Sequence, residues 1–482
     1  MILYGHLVGV RSSRRLEEAL QVRLDFQWLT DGRAIDHTTL SEFRRRFGSE
    51  LASLGAQMAV IAHRMGVTTL SRVFFDGTRV RANNGRQRSA SSQELRELER
   101  ACRERLAELE REVQSKEATE SEEVSTRLGR ELADVKNRLA ALERAQQELR
   151  RAQEAEEAIP DRIPLTDPSS RITPNKSGGF APNYTPTAAV DAESGLILNE
   201  QVVAHTEEER TLVPSLDQIE DRLAEQGQAT HIEEVTTDGK FPTGPVLEAL
   251  SERGTELCAP VSGRPACVER PDGREPIPEE HWGELPTRRV GKPKKGQPAR
   301  VQLKKEAFLY DAEEDCYWCP LGQKLSCLGR TSERTRRKGK SRRGQRYRYA
   351  ARESSCASCP LRDRCVSPGA KRRTLSHDQY ETYRESQRQR MASAERQERL
   401  KERQTEGERP FAVIKHRMGV RQFLLRGLEG VQTEWRWATT AYNVDRLMAF
   451  IRRLGRDVWR GAVEAVSANA TRGSPEPAPA RA

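Results

Sequence analysis

Two short apolar runs that each end at an aspartate are the feature that most constrains the fold of this chain. RVFFDGTRV contains Asp76, EEVTTDGKF contains Asp238, and a glycine follows each aspartate. An apolar run of this length that stops at a glycine predicts a strand followed by a tight turn. The sequence therefore predicts two strands with one carboxylate at the end of each.

A third carboxylate, Glu408, begins the segment ERPFAVIKHRMGVRQFLLRG. This segment has helical periodicity, and Pro410 is expected to kink or restart the helix just after Glu408. Glu408 and Lys415 are two helical turns apart, so both face one site if the helix continues. Two strand-end aspartates and one helical glutamate match the oxygen ligands that Mg²⁺ prefers. Such a site is suited to phosphoryl chemistry on nucleic acid.

Other carboxylates compete for this assignment. PTAAVDAESGLILNEQVVAH predicts a hairpin, and TLVPSLDQIEDRLAEQ predicts an amphipathic helix before the Asp238 strand. Asp191 directly precedes the hairpin turn AESG, which favours a turn-capping role over a ligand role. Glu402 and Glu406 lie close to Glu408, but the register to Lys415 favours Glu408.

The composition favours an anionic partner. The 482 residues carry a formal net charge of +10, and no apolar run approaches the length of a membrane span. The start of the chain is too short and too polar for a signal peptide. Nine cysteines without an export signal therefore indicate reduced thiols, metal ligands or both in a cytosolic protein.

The cysteines include two CxxC units. CYWCP contains Cys316 and Cys319, and CASCPLRDRC contains Cys356, Cys359 and Cys365. Paired CxxC units separated by a loop have the spacing of a tetrahedral structural zinc site. Spacing alone prefers Cys316 to Cys365 as the fourth ligand, and unligated thiols are the alternative.

Two basic segments are candidates for DNA contacts. DHTTLSEFRRRF predicts an Asp- or Thr-capped helix whose arginines either lie in a major groove or form a solvated face. RTSERTRRKGKSRRGQRYRYAAR, with Tyr347 and Tyr349, is interpreted as a basic loop that contacts phosphates, or as a solvated tract. The arginines predicted to bind DNA in these segments are Arg44, Arg45, Arg336, Arg337, Arg342 and Arg343.

Residues 91–157 have a different pattern. Leucines and other apolar residues recur every three or four positions in two stretches, and nearly all other residues there are charged, Gln or Ala. The polar segment SKEATES separates the stretches. This pattern predicts an antiparallel coiled-coil hairpin inserted into the sheet, with Cys102 as a small core residue on its apolar stripe.

Several of these segments occur together in one known family. The motifs, in chain order, are LYGHLVGVRSSRRLEEAL, DHTTLSEFRRRF, FFDGTRVRAN, AAVDAESGLIL, VTTDGKF, CASCPLRDRC, ERPFAVIK, FLLRG and AYNVDRL. With them the chain resembles a DDE transposase of bacterial insertion sequences, in the subgroup with a Tyr-Arg-Glu-Lys signature. Leu400 replaces the tyrosine of that signature, and Arg403 is an approximate counterpart of its arginine. Family members usually have several dozen more residues before LYGHLVGVRSS, so a truncated or misassigned start is expected.

The resemblance implies an RNase H-like α/β core in which Asp76, Asp238 and Glu408 bind Mg²⁺ or Mn²⁺. It implies that Lys415 and Arg403 contact phosphates, and Arg417 and Arg421 lie on the same predicted DNA-binding face. It favours Cys319, Cys356, Cys359 and Cys365 as zinc ligands, with Cys316 as the alternative. The predicted segments are an N-terminal helical DNA-binding domain (1–55), a core in parts (66–90, 158–253 and 376–464), the coiled-coil hairpin (91–157), a Cys-rich basic insertion (254–375) and a disordered tail (465–482).

The expected function is transposition: cleavage of double-stranded DNA at element ends, followed by strand transfer into target DNA. The expected partners are DNA and a second copy of the chain, because joining two ends requires at least a homodimer. The expected location is the cytoplasm, in association with the nucleoid. A catalytically inactive DNA-binding derivative and a nuclease without strand transfer are the alternatives.

Overall fold

The computed structural model describes residues 1–85, 88–116, 122–154, 161–175, 178–204, 207–261, 274–290, 300–337 and 340–472. The side chains of residues 115–125, 332–344 and 465–472 lie outside this description. The chain forms two compact units. Unit 1 comprises Met1–Val235 and Glu402–Ala482, and unit 2 comprises Thr236–Lys401.

Unit 1 begins with a helical subdomain. Its helices are α1 (Ile2–Leu7), α2 (Ser13–Val22), α3 (Leu24–Leu29), α4 (His37–Arg46) and α5 (Glu50–Arg64). The predicted cap of α4 is confirmed, because the Asp36 carboxylate accepts the N–H groups of Thr38 and Thr39 at 2.8 and 3.0 Å. Leu16, Phe26 and other apolar side chains of these helices share one core.

A sheet follows, interrupted by two long helices. The elements are β1 (Arg72–Gly77), β2 (Val80–Arg81), β3 (Ser89–Ala90), α6 (Ser92–Lys116), α7 (Glu122–Glu154), β4 (Ile163–Pro164), β5 (Arg171–Pro174), β6 (Phe180–Asp191), β7 (Ile197–Val203), α8 (Leu212–Glu225) and β8 (Glu234–Thr236). Strand β6 pairs antiparallel with both β1 and β7, and β8 is the other neighbour of β1. The predicted hairpin around AESG and the helix before β8 are both present.

The two long helices form the predicted helical hairpin. They pack through buried residues that include Leu95, Cys102 and Leu142, and Arg103 of α6 forms an ion pair with Glu143 of α7 at 3.1 Å. Cys102 therefore has the core position expected of it. The predicted turn SKEATES spans residues 115–121; Ser115 and Lys116 end α6, and residues 117–121 lie outside the described residues. The coiled-coil supercoil stays a prediction.

Unit 2 contains a small α/β region and a five-stranded antiparallel sheet. Its elements are α9 (Gly244–Arg253), β9 (Glu256–Cys258), β10 (Thr287–Arg289), β11 (Val301–Leu303), β12 (Leu309–Asp311), β13 (Cys316–Trp318), β14 (Lys324–Arg337), β15 (Lys340–Ala351), α10 (Glu353–Ala357), α11 (Arg362–Cys365), β16 (Thr374–Asp378), α12 (Glu381–Arg390) and α13 (Ala394–Glu402). The sheet has the order β12-β13-β14-β15-β16.

The interpretation of the basic segment as a loop was wrong. It forms most of β14 and β15, which pair from Leu325 opposite Ala351 to Arg337 opposite Lys340. β16 pairs with residues Arg346–Ala350 of β15, and this pairing fixes that end of the ribbon in the sheet. Tyr349 is fully buried, and its hydroxyl contacts Asp315 and the Nε2 atom of His377. Because it lies in this core, Tyr349 belongs to the sheet rather than to a DNA-contacting surface.

The C-terminal part returns to unit 1. It contains α14 (Arg409–Ala412), α15 (Leu428–Leu454) and α16 (Arg456–Arg472), and π-helical segments at Arg403–Gly407 and Val413–Arg417 flank α14. Trp435 of α15 is buried against the sheet in a core that also holds Phe74 and Phe423. The predicted disordered tail at 465–482 was wrong for residues 465–472, which continue α16, and residues 473–482 lie outside the described part.

The α/β class is confirmed, whereas the RNase H-like topology stays a prediction. Within the described ranges, no helix is both long enough and apolar enough to cross a membrane.

Candidate active site and cysteine cluster

Asp76 lies near the end of β1, as predicted, opposite Ala188 of β6. Its Oδ1 atom accepts the N–H of Gly77 at 2.8 Å. Its Oδ2 atom accepts a hydrogen bond from Nη1 of Arg403 at 3.0 Å. The side chain of Asp76 is only 17% exposed and that of Arg403 only 10%. The strand-end carboxylate is therefore fixed on one side by its own turn and on the other by an arginine.

Arg403 begins the π-helical segment that leads to Glu408. Four residues later, Gly407 lies so close to the sheet that an added Cβ atom would be 3.0 Å from Cβ of Phe74. This close approach brings the helix onto β1 and lets Arg403 reach Asp76. Arg403 was predicted to contact a DNA phosphate. Because it is buried and bonded to Asp76, we assign it to positioning that carboxylate instead.

Glu408 lies immediately before α14 and is exposed, with Pro410 in the first turn of the helix. The predicted helix restart after Glu408 is thus confirmed. Its two acidic neighbours form ion pairs, Glu402 with Arg72 at 3.1 Å and Glu406 with Arg409 at 3.4 Å.

Lys415 contacts the turn that follows Asp76. Its Nζ atom donates to the Thr78 hydroxyl and to the Arg79 carbonyl, the latter at 2.8 Å. These bonds connect the second π-helical segment with the β1–β2 turn. Arg417 and Arg421 are exposed, as a DNA-contacting role requires, and they bond to Asp445 and His416, respectively, at 2.8 Å.

Asp238 lies two residues after β8, in unit 2. Its Oδ1 atom accepts the N–H of Lys240 at 2.8 Å, which stabilises the turn after the strand. Its convergence with Asp76 and Glu408 stays a prediction. Asp191, by contrast, is buried and accepts the N–H and hydroxyl of Ser194 at 2.7 and 2.6 Å. Burial raises the pKa of the Asp191 carboxyl group. This geometry is that of the turn cap that the sequence favoured.

Four cysteines of unit 2 line a single cavity of about 270 Å³: Cys319, Cys356, Cys359 and Cys365. The Cys319 sulfur accepts the N–H groups of Leu321 and Gln323, both at 3.3 Å. Gly322 closes this turn with a φ of 69°. Backbone donors of this kind stabilise a thiolate, the form of cysteine that binds zinc. Among the described residues, however, no three of these four sulfur atoms lie within 4.8 Å of one another, so zinc binding by this set stays a prediction.

Cys316 lies elsewhere, although the spacing alone preferred it. It is on β13, within 4.8 Å of Asp311 and Glu314 by ligand atoms. Arg274 and Lys324 already neutralise these two carboxylates, with Arg274 to Asp311 at 2.9 Å and Lys324 to Glu314 at 2.6 Å. In this structure the two carboxylates of this second cluster therefore belong to an ion-pair network.

The predicted DNA-binding arginines of α4 differ from each other. Arg44 is buried, and its Nη1 atom donates to the Arg11 carbonyl at 2.6 Å. A DNA phosphate cannot reach a side chain in this position, so the assignment of Arg44 was wrong. Arg45 is exposed. The side chains of Arg336, Arg337, Arg342 and Arg343 lie outside the described residues, and only their positions on the β14–β15 ribbon are known.

Comparisons with known proteins agree with these features. Residues 314–448 match a family model described as a transposase DDE domain, and residues 1–46 match a transposase domain (DUF772). No curated protein and no solved structure gives a significant match. Over these residues the chain is similar to DDE transposases of insertion-sequence type, whereas the Tyr-Arg-Glu-Lys subgroup stays a prediction.

Proposed function

We propose that this transposase cleaves DNA at the ends of an insertion sequence and joins the freed 3′ hydroxyl to target DNA. Asp76, Asp238 and Glu408 would hold two Mg²⁺ or Mn²⁺ ions. Bound at such a site, these ions activate water and stabilise the charge that develops during phosphoryl transfer. Carboxylate oxygens are the donors that hard divalent cations prefer, so the residues fit the ions.

The observation that carries the proposal is the bond between Arg403 and Asp76. It attaches the helical segment that ends at Glu408 to the strand that ends at Asp76, although the two are far apart in sequence. Arg403 orients the Asp76 carboxylate, and Lys415 fixes the turn after it. Both contacts give Asp76 a defined position before any ligand binds, which is the requirement for a preorganised site.

The rest of the chain would bind the DNA. A two-stranded antiparallel ribbon fits a major groove, and the β14–β15 ribbon has arginines at 334, 336, 337, 342 and 343. The backbone register places Arg334 opposite Arg343. Arg45, Arg417 and Arg421 would supply further phosphate contacts. The complex would act as a homodimer on cytoplasmic, nucleoid DNA.

The first prediction concerns the three carboxylates. Asp76→Asn, Asp238→Asn and Glu408→Gln should each abolish Mg²⁺-dependent cleavage of DNA that carries the element ends, because each removes an ionic ligand. DNA binding, measured by mobility shift, should be retained. Glu406→Gln is the matched control, since Glu406 is two residues from Glu408 and pairs with Arg409. Its cleavage rate should stay near that of the unmodified protein.

Each alternative function predicts a different result. Full cleavage by one of the three variants would remove that residue from the site. Cleavage without joined products in a strand-transfer assay would indicate a nuclease. DNA binding without cleavage by the unmodified chain would indicate an inactive derivative.

A further inference from the structure

The segment Phe423–Gly427, sequence FLLRG, presents two leucines to solvent. Phe423 is fully buried, whereas Leu424 and Leu425 are each 40% exposed. Gly427 ends the segment with a φ of 74°, and α15 begins directly after it. Phe423 thus anchors the segment in the core and leaves the next two side chains at the surface.

The backbone of these leucines is held firmly. The N–H groups of Leu424 and Leu425 donate to Oε2 of Glu434 at 2.8 and 3.0 Å. The Leu424 carbonyl accepts Nδ2 of Asn83 at 2.7 Å. Glu434 is fully buried, and Arg11 binds its other oxygen at 2.9 Å. A buried ion pair therefore supports two apolar side chains that do not enter the core.

Leu424 and Leu425 line an open cavity of about 790 Å³ together with Arg14 and Arg45. Ser12, Thr38 and Ser41 add hydroxyl groups, and Glu42 is the one acidic residue among those that line it. Both arginines are exposed. Two apolar side chains on a hydrogen-bonded backbone, beside arginines and hydroxyl groups, have the composition of a surface that holds phosphates and contacts bases.

We propose that Leu424 and Leu425 form an apolar wedge that packs against an unstacked base step of double-stranded DNA. Arg14 and Arg45 contact the phosphates on either side of that step. Proteins that kink DNA insert apolar side chains between bases in this way, and the phosphate contacts offset the unstacking cost. The inference rests on the proposed function only in taking DNA as the partner.

The experiment uses the full chain without added Mg²⁺ or Mn²⁺, so that metal-dependent cleavage does not occur. The probe is a 30-base-pair duplex with one mismatched step that carries 2-aminopurine, since unstacking costs least at a mismatch. Binding of the unmodified chain should increase 2-aminopurine fluorescence. The double variant Leu424→Ala, Leu425→Ala should lose at least about half of this increase, because it lacks the wedge. Leu428→Ala is the matched control, with 38% exposure at the start of α15.

A second variant tests the phosphate contacts. Arg14→Gln with Arg45→Gln should lower the slope of log affinity against log salt by about 0.9 for each lost contact. No fluorescence increase with the unmodified chain bound, or an equal increase with the leucine double variant, would overturn the inference alone. Absence of any DNA binding would overturn both this inference and the proposed function.

Discussion

The ion pair between Asp76 and Arg403 joins a proposed metal ligand to a cation of the protein itself. The two side chains are 17% and 10% exposed, so solvent screens them weakly. Removal of one partner leaves the other charge poorly solvated. The arginine therefore contributes to the stability of unit 1 as well as to the position of the carboxylate.

Arg403→Gln should lower the free energy of unfolding by about 1–3 kcal/mol, because Asp76 loses its charged donor. The measurement is urea unfolding of the full chain followed by circular dichroism. Gln404→Ala, at the exposed neighbouring position, is the control and should change little. The double variant Asp76→Asn, Arg403→Gln should lose less than the sum of the single variants. If the losses in free energy of unfolding of the two single variants add up to that of the double variant, the two side chains do not stabilise each other.

At the scale of elements, the two cysteines of the first CxxC unit, Cys316 and Cys319, belong to different local structures. Cys319 is in a turn closed by Gly322, after β13, whereas Cys316 is within β13 itself. Within β13, Cys316 is paired with Ser326 of β14. Successive residues of a strand point to opposite faces of its sheet. Cys365, at the end of α11, takes the fourth position in the cavity instead.

This arrangement predicts one zinc ion per chain in the purified protein, with thiolate bonds of about 2.3 Å. Cys356→Ser should remove the zinc, because a tetrahedral site with three thiolates binds the ion more weakly. Cys316→Ser is the matched control and should retain one zinc. The measurement is metal analysis of protein purified without chelators. Loss of zinc from Cys316→Ser would instead support the ligand set that the spacing preferred, in which Cys316 replaces Cys365. Retention of zinc by Cys356→Ser would contradict both sets.

At the scale of the whole molecule, positive charge is present in both units. The net charge is +10, and the arginine-rich positions lie in α4, near α14 and on the β14–β15 ribbon. If the ribbon follows the phosphate backbone, its contribution to binding is independent of DNA sequence. Sequence recognition must then come from other surfaces of the chain.

Replacement of Arg336, Arg337, Arg342 and Arg343 by Gln should weaken binding of the full chain to all duplexes alike. The slope of log affinity against log salt should fall by about 0.9 for each lost phosphate contact. Fluorescence anisotropy at several salt concentrations measures both effects. Lys401→Gln, which removes one exposed charge paired with Glu398, is the control. An unchanged slope would mean that the ribbon does not contact DNA.

The sequence by itself determined features that depend on neighbouring residues. Asp76 falls at a strand end because an apolar run meets a glycine, and Asp36 caps α4 because its carboxylate reaches the next backbone N–H groups. The two long helices follow from the spacing of their leucines. The restart after Glu408 follows from Pro410.

Only the tertiary structure decided which distant groups meet. Arg403 and Asp76 are 327 positions apart, and their bond depends on the close approach at Gly407. Arg44 is buried because the helical subdomain folds against α15, so its charge was misread as a DNA contact. The basic segment forms a ribbon through the pairing of β14 with β15, and β16 pairs with one end of it. Such contacts depend on the relative positions of whole elements, which local spacing does not encode.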